Sequence, residues 1–303
     1  MIKGLAITPP VLGRISIGRV VEKNGKRLPE KDDQFTITTQ VQVGGAWVPH
    51  PYDEELRKNA PNGKLRSIPV RMLFNDPDLN LRAEYSMFDR QTGRPICVGN
   101  GDTCRRVTSG SVQSLPCPSP DACELAKGGM CKSYGRLNVR IGDDDELGTF
   151  IFRTTGFNSI RTLAARLSYY KAVSRNLLAC LPLELRLRGK STTQSHRGAI
   201  YYVDLAVREG ITLEAAVTEA KDLDTKRRDA GLDQEALDAA AQAGFSNAAF
   251  EFTEEEGPEI LEEFYPPTDT DTSMPTAVAV IPSGGLRQRL GQRTSTPIAQ
   301  AQG

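Results

Sequence analysis

The amino-acid sequence predicts an α+β fold with a mostly antiparallel sheet and a few helices. Several short segments rich in Val, Thr, Ile and aromatic residues alternate between apolar and polar positions, as half-buried strands do. Two of them are separated by a short acidic turn, which is typical of a hairpin. In the second half of the chain, three longer segments instead repeat apolar residues every three to four positions, as amphipathic helices do.

These elements follow one another from residue 35 to residue 243. The first thirty-odd residues contain Pro9, Pro10, Gly13, Gly18 and Gly25, and we expect them to be irregular. The predicted strands are 35–43, 67–74, 80–88, 136–141, 147–153, 183–188 and 199–207. The predicted helices are 159–175, capped by Asn158 or Ser159; 212–228, capped by Thr212; and 233–243, which Gly244 ends.

The sequence divides into a body, 1–247, and a tail, 248–303. The tail is acidic at first and then rich in Pro, Thr and Ser, and we predict that it is disordered. Residues 1–210 carry 31 Lys and Arg against 21 Asp and Glu, whereas residues 211–303 carry 7 against 17. The zero net charge therefore conceals a basic body and an acidic C-terminal part.

The thiols of this chain are expected to stay reduced. No apolar run reaches the roughly 18 residues that a membrane helix needs, and the first ten residues lack the features of a secretion signal. We therefore expect a cytoplasmic protein with no membrane partner. Six cysteines in that compartment favour metal binding or simple burial over disulfides.

Five of the six cysteines fall in a cysteine-rich segment, 97–131, which is otherwise dominated by proline, glycine and polar residues. They are Cys97, Cys104, Cys117, Cys123 and Cys131. Such a segment has few core-forming residues, so a bound metal is a plausible source of its order. We predict a closed, structural zinc site formed by Cys117, Cys123 and Cys131 with either Cys97 or Cys104. The alternatives are an iron–sulfur cluster and scattered buried thiols. Cys180 stands in an apolar run and is predicted to be a small core residue.

No catalytic set is recognisable, and we predict that the protein is not an enzyme. The chain has two histidines, His50 and His196, and neither lies in a nucleophile motif. Residues 189–192 resemble the end of a phosphate-binding loop, but Glu184 stands where that motif needs a glycine. A metal-dependent hydrolase would need an open coordination position and a carboxylate, and Glu124 beside Cys123 is weak support for one.

A basic strand and loop at 186–197 favour contact with DNA or an acidic partner. The cations there are Arg186, Arg188, Lys190, His196 and Arg197, interleaved with hydroxyl and amide side chains that also bind phosphate groups. A solvated strand face is the alternative. The turn 154–159 could bind an anion at the start of the next helix or be a simple turn. The acidic, aromatic part of the tail could bind a partner, fold back onto the body or act as a solubilising linker.

Three sequence strings resemble one known family. They are Cys117–Val139 with its three cysteines, the string from Leu147 to Ile160, and Leu185-Arg-Leu-Arg-Gly-Lys-Ser-Thr192. Over about residues 1–265 the chain resembles the recombination directionality factor-like family of phages and mobile elements, whose members are often described as hydrolases or metal-binding proteins. The resemblance implies a DNA-recombination accessory protein that binds a serine integrase and switches it from integration to excision. A phage-type single-stranded nucleic-acid-binding protein of a replication or repair module is the alternative function.

Overall fold

The computed structural model describes residues 10–23, 26–44, 46–143, 148–191, 199–245 and 257–265. All of these belong to one compact unit, residues 1–267. Of the tail that was predicted to be disordered, 257–265 is described and 248–256 and 266–303 lie outside the described residues.

The described residues form twelve strands and seven α-helices. The strands are β1 (Val11–Lys23), β2 (Lys26–Val43), β3 (Ala46–Pro49), β4 (Ser67–Arg71), β5 (Leu81–Phe88), β6 (Pro95–Gly99), β7 (Thr103–Thr108), β8 (Ser111–Pro116), β9 (Lys132–Ile141), β10 (Thr149–Thr154), β11 (Leu183–Ser191) and β12 (Ala199–Val207). The helices are α1 (Pro51–Asn59), α2 (Pro77–Asn80), α3 (Ser119–Ala122), α4 (Phe157–Val173), α5 (Leu213–Asp229), α6 (Gln234–Phe245) and α7 (Gly257–Phe264).

The strands form one branched sheet. Its main path runs β3-β2-β1-β10-β9-β5-β6-β7-β8, and a side branch runs from β9 through β4 and β11 to β12. The branch arises because β9 pairs with β5 near its start and with β4 near its end. Among the described ladders, β1–β10 is parallel and the others are antiparallel. The predicted α+β fold with a mostly antiparallel sheet is thereby confirmed.

The main core lies where the sheet is covered by α4 and α5. The apolar face of α4 contributes Leu163 and Leu167, both fully buried, and α5 contributes Ala216 and Ala220. On β11 the alternation of strand side chains separates a buried leucine face from a polar face that is buried at Glu184 and exposed at Arg188. Burial of one face of each element accounts for the agreement between predicted and observed elements in this part of the chain.

The prediction of an irregular N-terminus was wrong, because β1 begins at Val11 and pairs with β2. Two of the glycines that suggested irregularity, Gly13 and Gly18, have specific roles in this hairpin. A Cβ atom at Gly13 would lie 2.4 Å from the Thr38 carbonyl oxygen and 2.8 Å from Cε1 of Phe150, so only glycine fits there. Gly18 has a φ of 82°, where the register between β1 and β2 shifts.

Helix α1 lies between the predicted strands 35–43 and 67–74, where no helix was predicted. His50 is the N-cap, and its Nδ1 accepts a hydrogen bond from the Tyr52 backbone N–H at 3.2 Å. The buried Asp53 accepts a hydrogen bond from the Ile37 N–H at 2.8 Å and pairs with Arg57 at 2.6 Å. Tertiary hydrogen bonds of this kind leave no periodic signal in the sequence.

The predicted N-cap of α4 was also wrong. Gly156 is the N-cap residue, and neither Asn158 nor Ser159 performs that role. The hydroxyl of Ser159 instead accepts a hydrogen bond from the Val203 N–H at 3.1 Å, which ties the start of α4 to β12. For α5 the prediction is confirmed, since Thr212 accepts from the Ala215 N–H at 3.2 Å.

Arg71 connects four parts of the body. Its guanidinium contacts Asp143 at 2.7 Å, Glu219 of α5 at 2.6 Å and the Cys180 carbonyl oxygen. Asp143 begins the acidic turn that was predicted between β9 and β10, and residues 144–146 lie outside the described residues. Hydrogen bonds from Arg208 and Arg71 lower the pKa of Asp143 to about 2.

This pKa predicts an acid-dependent loss of stability. An unfolded aspartate has a pKa of about 3.9, so the ionised pair stabilises the fold above about pH 4 and ceases to do so as the pH falls towards 2. We expect Asp143→Asn to lower the melting temperature at pH 7, and the difference from wild type to vanish between about pH 4 and 2. Calorimetry of both proteins from pH 7 to 2 checks this, with Asp121→Asn as an exposed control. A difference that persists unchanged at pH 2 would contradict the assignment.

Candidate functional site

The cysteine-rich segment folds as the outer strands β6, β7 and β8, followed by α3. Pairing Cys97 with Arg106 and Gly99 with Cys104 places all four residues on one face of the β6–β7 hairpin. Both Cys97 and Cys104 are buried, at 8% and 2% exposure. The antiparallel register therefore brings two of the five cysteines together on the sheet.

A third cysteine approaches this face because Gly99 has no side chain. A Cβ atom at Gly99 would lie 2.6 Å from Cβ of Cys104 and 3.0 Å from Sγ of Cys117. Cys117 is held at the end of β8 by a 2.8 Å hydrogen bond from its N–H to the Asp102 carbonyl oxygen. The glycine thus leaves the space into which the Cys117 thiol projects.

The last two cysteines return to the cluster through short turns. After Cys123, hydrogen bonds from Ala126 N–H to the Cys123 carbonyl (3.0 Å) and from Gly129 N–H to the Ala126 carbonyl (3.1 Å) bend the chain. Cys131 then stands immediately before β9. Apolar side chains surround the sulfur atoms; they are Met87, Ile96, Leu115 and Met130, and they pack with Cys97, Cys104, Cys117 and Cys131.

The thiols influence one another electrostatically. Burial, together with the neighbouring thiols of Cys97, Cys117 and Cys123, raises the pKa of Cys131 to about 12. Burial and Cys97 raise the pKa of Cys104 to about 11. Arg106 donates from Nε to Sγ of Cys97 at 3.5 Å and from Nη2 to Sγ of Cys104 at 3.9 Å. Cys97 and Cys117 act on both Cys104 and Cys131, and Cys123 acts on Cys131, so these interactions link all five predicted cysteines; we call them the thiol cluster.

The backbone of this segment is more regular than its composition suggested. The β6–β7 and β7–β8 ladders order its first part, up to Pro116, whereas residues 117–131 contain α3 and short turns. Within the part of the chain that the structure describes, no three His, Cys, Asp or Glu side chains are already arranged to hold a metal ion. Zinc stays a prediction. Cys180 is confirmed as a core residue, 2% exposed.

The predicted basic strand lies on the side branch of the sheet. Arg186, Arg188 and Lys190 project from β11, whereas His196 and Arg197 lie outside the described residues. Arg166 of α4 joins them by sharing a carboxylate: Asp204 lies 3.0 Å from Arg166 and 3.3 Å from Arg188. We call Arg166, Arg186, Arg188 and Lys190 the cation face.

Two buried carboxylates partly neutralise the cation face. Asp204 is 6% exposed and sits between two arginines, while Glu184 is 3% exposed and pairs with Arg186. Lys190 reaches Asn158 at the start of α4, with 3.2 Å between Nζ and Oδ1. The carboxylates fix the arginine side chains in place, and the four cations still exceed them by two charges, so the face is a preorganised, weakly basic surface.

One of the two predicted roles of the turn 154–159 was to bind an anion. In the structure this turn binds a carboxylate group of the same chain. The Thr155 N–H donates to a carboxylate oxygen of Glu263 at 3.0 Å, and Glu263 belongs to α7. The helix α7 therefore differs from the prediction that the whole tail is disordered. Gly257, Ile260 and Phe264 are buried against the body, and this burial compensates for ordering a short helix that the sequence alone would not favour.

The geometry, a sheet body with a thiol cluster and a cation face, is that of a binding protein, and comparison with known families places the chain in the recombination directionality factor-like class. A model of the Gp3-like family, described as recombination directionality factor-like, matches residues 12–208. The match covers more than half of the chain, so this protein belongs to the Gp3-like family. The matched residues include the thiol cluster and the cation face.

Further comparisons add no relatives. No curated protein and no solved structure matches the chain.

None of the helices in the described residues is long and apolar enough to cross a membrane.

Proposed function

We propose that this protein is a recombination directionality factor: an accessory protein, not an enzyme, that binds a serine integrase on DNA and shifts it from integration towards excision. The observation that carries the proposal is the family match over residues 12–208. The cation face supports it, because arginines held in place by neighbouring carboxylates can bind phosphate groups or acidic side chains with little loss of entropy.

We further propose that the thiol cluster binds one structural zinc ion. Cys97, Cys104, Cys117 and Cys131 pack in one apolar cluster, where Gly99 leaves the space for the Cys117 sulfur, and the Cys123 thiol lies near enough to act on the charge of Cys131. Buried thiols beside one another are costly to ionise, and a cation offsets that cost. When bound, zinc would hold the ends of β6, β8 and β9 together; a closed site of four thiolates has no position for a reacting water.

For the four ligands we propose Cys97, Cys117, Cys123 and Cys131. The thiols of Cys97, Cys117 and Cys123 all lie near enough to Cys131 to act on its charge. Cys104 instead points its sulfur towards the Pro116 carbonyl oxygen at 3.7 Å. With Arg106 it lies beside the Cys97 sulfur, where both can donate to a bound thiolate.

The direct test is recombination in vitro with the serine integrase of the same mobile element. We expect this protein to increase the product of excision and decrease the product of integration, and to co-elute with the integrase. Arg188→Glu should weaken the effect about tenfold, since it reverses a charge on the cation face that is 43% exposed. Lys58→Glu on α1, at 69% exposure, is the matched control and should behave as wild type.

Unchanged ratios of the two products, together with no co-elution, would refute the proposed function. If Arg188→Glu and Lys58→Glu behave alike while the wild type is active, the cation face is not the contact surface.

A further inference from the structure

The face of β5 and β9 opposite the thiol cluster binds the helix α7. Met87 of β5 projects into the thiol cluster, while the adjacent Phe88 projects to the opposite face. There Phe88 and Tyr134 lie edge to face with ring centroids 5.4 Å apart. We call the surface formed by Phe88, Arg90, Lys132, Tyr134 and Thr155 the α7 groove.

The apolar part of the groove holds two side chains of α7. Phe264 is fully buried, with its ring centroid 5.0 Å from that of Phe88 and 6.1 Å from that of Tyr134. Ile260, one turn earlier, is 3% exposed. Residues four apart lie on one face of a helix, so a single turn of α7 supplies both anchors.

The polar part of the groove matches the end of an acidic helix. The Thr155 N–H donates to the Glu263 carboxylate at 3.0 Å, at the start of α4, where partial positive charge accumulates. Lys132 donates from Nζ to the Phe264 carbonyl oxygen at 2.7 Å, in the last turn of α7, where carbonyl groups lack helical partners. The Tyr265 hydroxyl donates to the Phe88 carbonyl at 2.8 Å, and Arg90 lies 4.8 Å from the Tyr265 ring centroid.

The contacts of α7 resemble those of a bound ligand more than those of a core element. The helix has eight residues, too few to be stable in isolation, so it forms only on the groove. Its two apolar anchors, Ile260 and Phe264, lie on one face of the helix, and Gly257 is buried one turn before them. Eleven residues, 246–256, separate it from the end of α6. A segment attached in this way can leave the groove without unfolding the sheet.

We propose that the α7 groove is a docking site for an acidic helical segment of a partner protein, and that α7 occupies it as an intramolecular competitor. The segment it accepts has an aliphatic residue, a carboxylate three positions later and two aromatic residues after that, at the C-terminal end of a helix. This is helix-in-groove recognition with a charged clamp at each side. The family match ends at residue 208, before α7 begins. Competition by α7 for the groove can therefore be tested independently of the proposed function.

The test uses the full-length protein and a fluorescein-labelled peptide of residues 255–267 as the probe. Because α7 belongs to the same chain as the groove, its effective concentration there is on the order of 1 mM, so wild type should bind the free peptide weakly. Phe264→Ala removes the main anchor of α7 and should bind the peptide about tenfold or more tightly than wild type. Leu261→Ala is the matched control: it shortens a side chain of α7 that is not among those packed in the groove, and it should behave as wild type.

A second variant covers the case in which Phe264→Ala perturbs folding. Glu263→Gln keeps every apolar contact and weakens the bond to Thr155, so it should also increase peptide binding, by a smaller factor. Lys132→Met in the Glu263→Gln background should reduce that gain, because methionine cannot donate a hydrogen bond to the end of the peptide helix. Equal peptide binding by wild type, Phe264→Ala and Glu263→Gln would overturn the proposal. A wild-type dimer that the peptide converts to monomers would overturn it too, because α7 would then be exchanged between copies.

Discussion

Cys131→Ser is expected to abolish zinc binding and to cause a large loss of stability. If the thiol cluster holds one zinc ion, the wild type should contain about one zinc per chain and the variant close to none. Structural zinc sites contribute on the order of 10 kcal/mol of binding free energy to the folded state of small domains. The β6–β8 ladders supply part of the order of the cysteine-rich segment. We therefore expect the free energy of unfolding to fall by roughly 4 kcal/mol or more.

Metal analysis by mass spectrometry and urea unfolding measure these two effects. Cys104→Ser is the control that distinguishes the proposed ligand set: it should retain zinc, whereas Cys97→Ser should lose it. Treating the wild type with a strong chelator should reduce its stability to that of Cys131→Ser. A wild type purified under reducing conditions without any bound metal, and unaffected by added zinc, would show that the cluster is a set of buried thiols.

Phe150→Ala is expected to cost a comparable amount of stability, about 3–5 kcal/mol, as for other buried phenylalanines replaced by alanine. Phe150 is 1% exposed and lies on β10, between Gly13 of β1 and Val139 of β9. Its ring meets that of His50 edge-on, with centroids 4.9 Å apart. Removing it leaves a cavity where three strands and the start of α1 meet.

The chain provides a matched control for this substitution. Phe157 is 57% exposed, so Phe157→Ala removes the same atoms with little change in burial and should alter the free energy of unfolding by less than about 0.5 kcal/mol. Denaturant unfolding of the three proteins gives both values. Similar midpoints for Phe150→Ala and wild type would contradict the packing described for β10.

The parts of the fold that could be predicted are those whose burial is periodic. The leucines of β11 and the apolar stripe of α4 repeat at strand and helix spacing, because each element buries one face. By contrast, β1 contains glycines whose purpose becomes visible only when Thr38 and Phe150 are placed beside Gly13. Helix α1 depends on Asp53 bonding to β2, a contact that no local pattern encodes.

The candidate site divides in the same way. Cysteine counting located the thiol cluster, but the register of β6 with β7, which sets Cys97 beside Arg106, needed the structure. The arginines of β11 were found from the sequence, whereas Arg166 on α4 was missed because it joins them through Asp204. Folding of the acidic tail back onto the body was one of three alternatives, but none of the residues of the α7 groove was predicted to receive it. Its donors come from β9 and from the turn before α4, and its ligand from a segment whose composition is typical of disorder.

The parallel pairing of β1 with β10 has a consequence for the synthesis of this chain on the ribosome. Thr149 donates its N–H to the carbonyl of Pro10, 139 positions earlier. At roughly 5–20 residues per second, β1 emerges about 7–28 s before its partner strand is made. During that interval the β1–β2 hairpin has an unpaired edge, the kind of surface on which nascent chains aggregate or chaperones bind. The centre of the sheet can therefore form only after most of the matched body, as far as β10, has been translated.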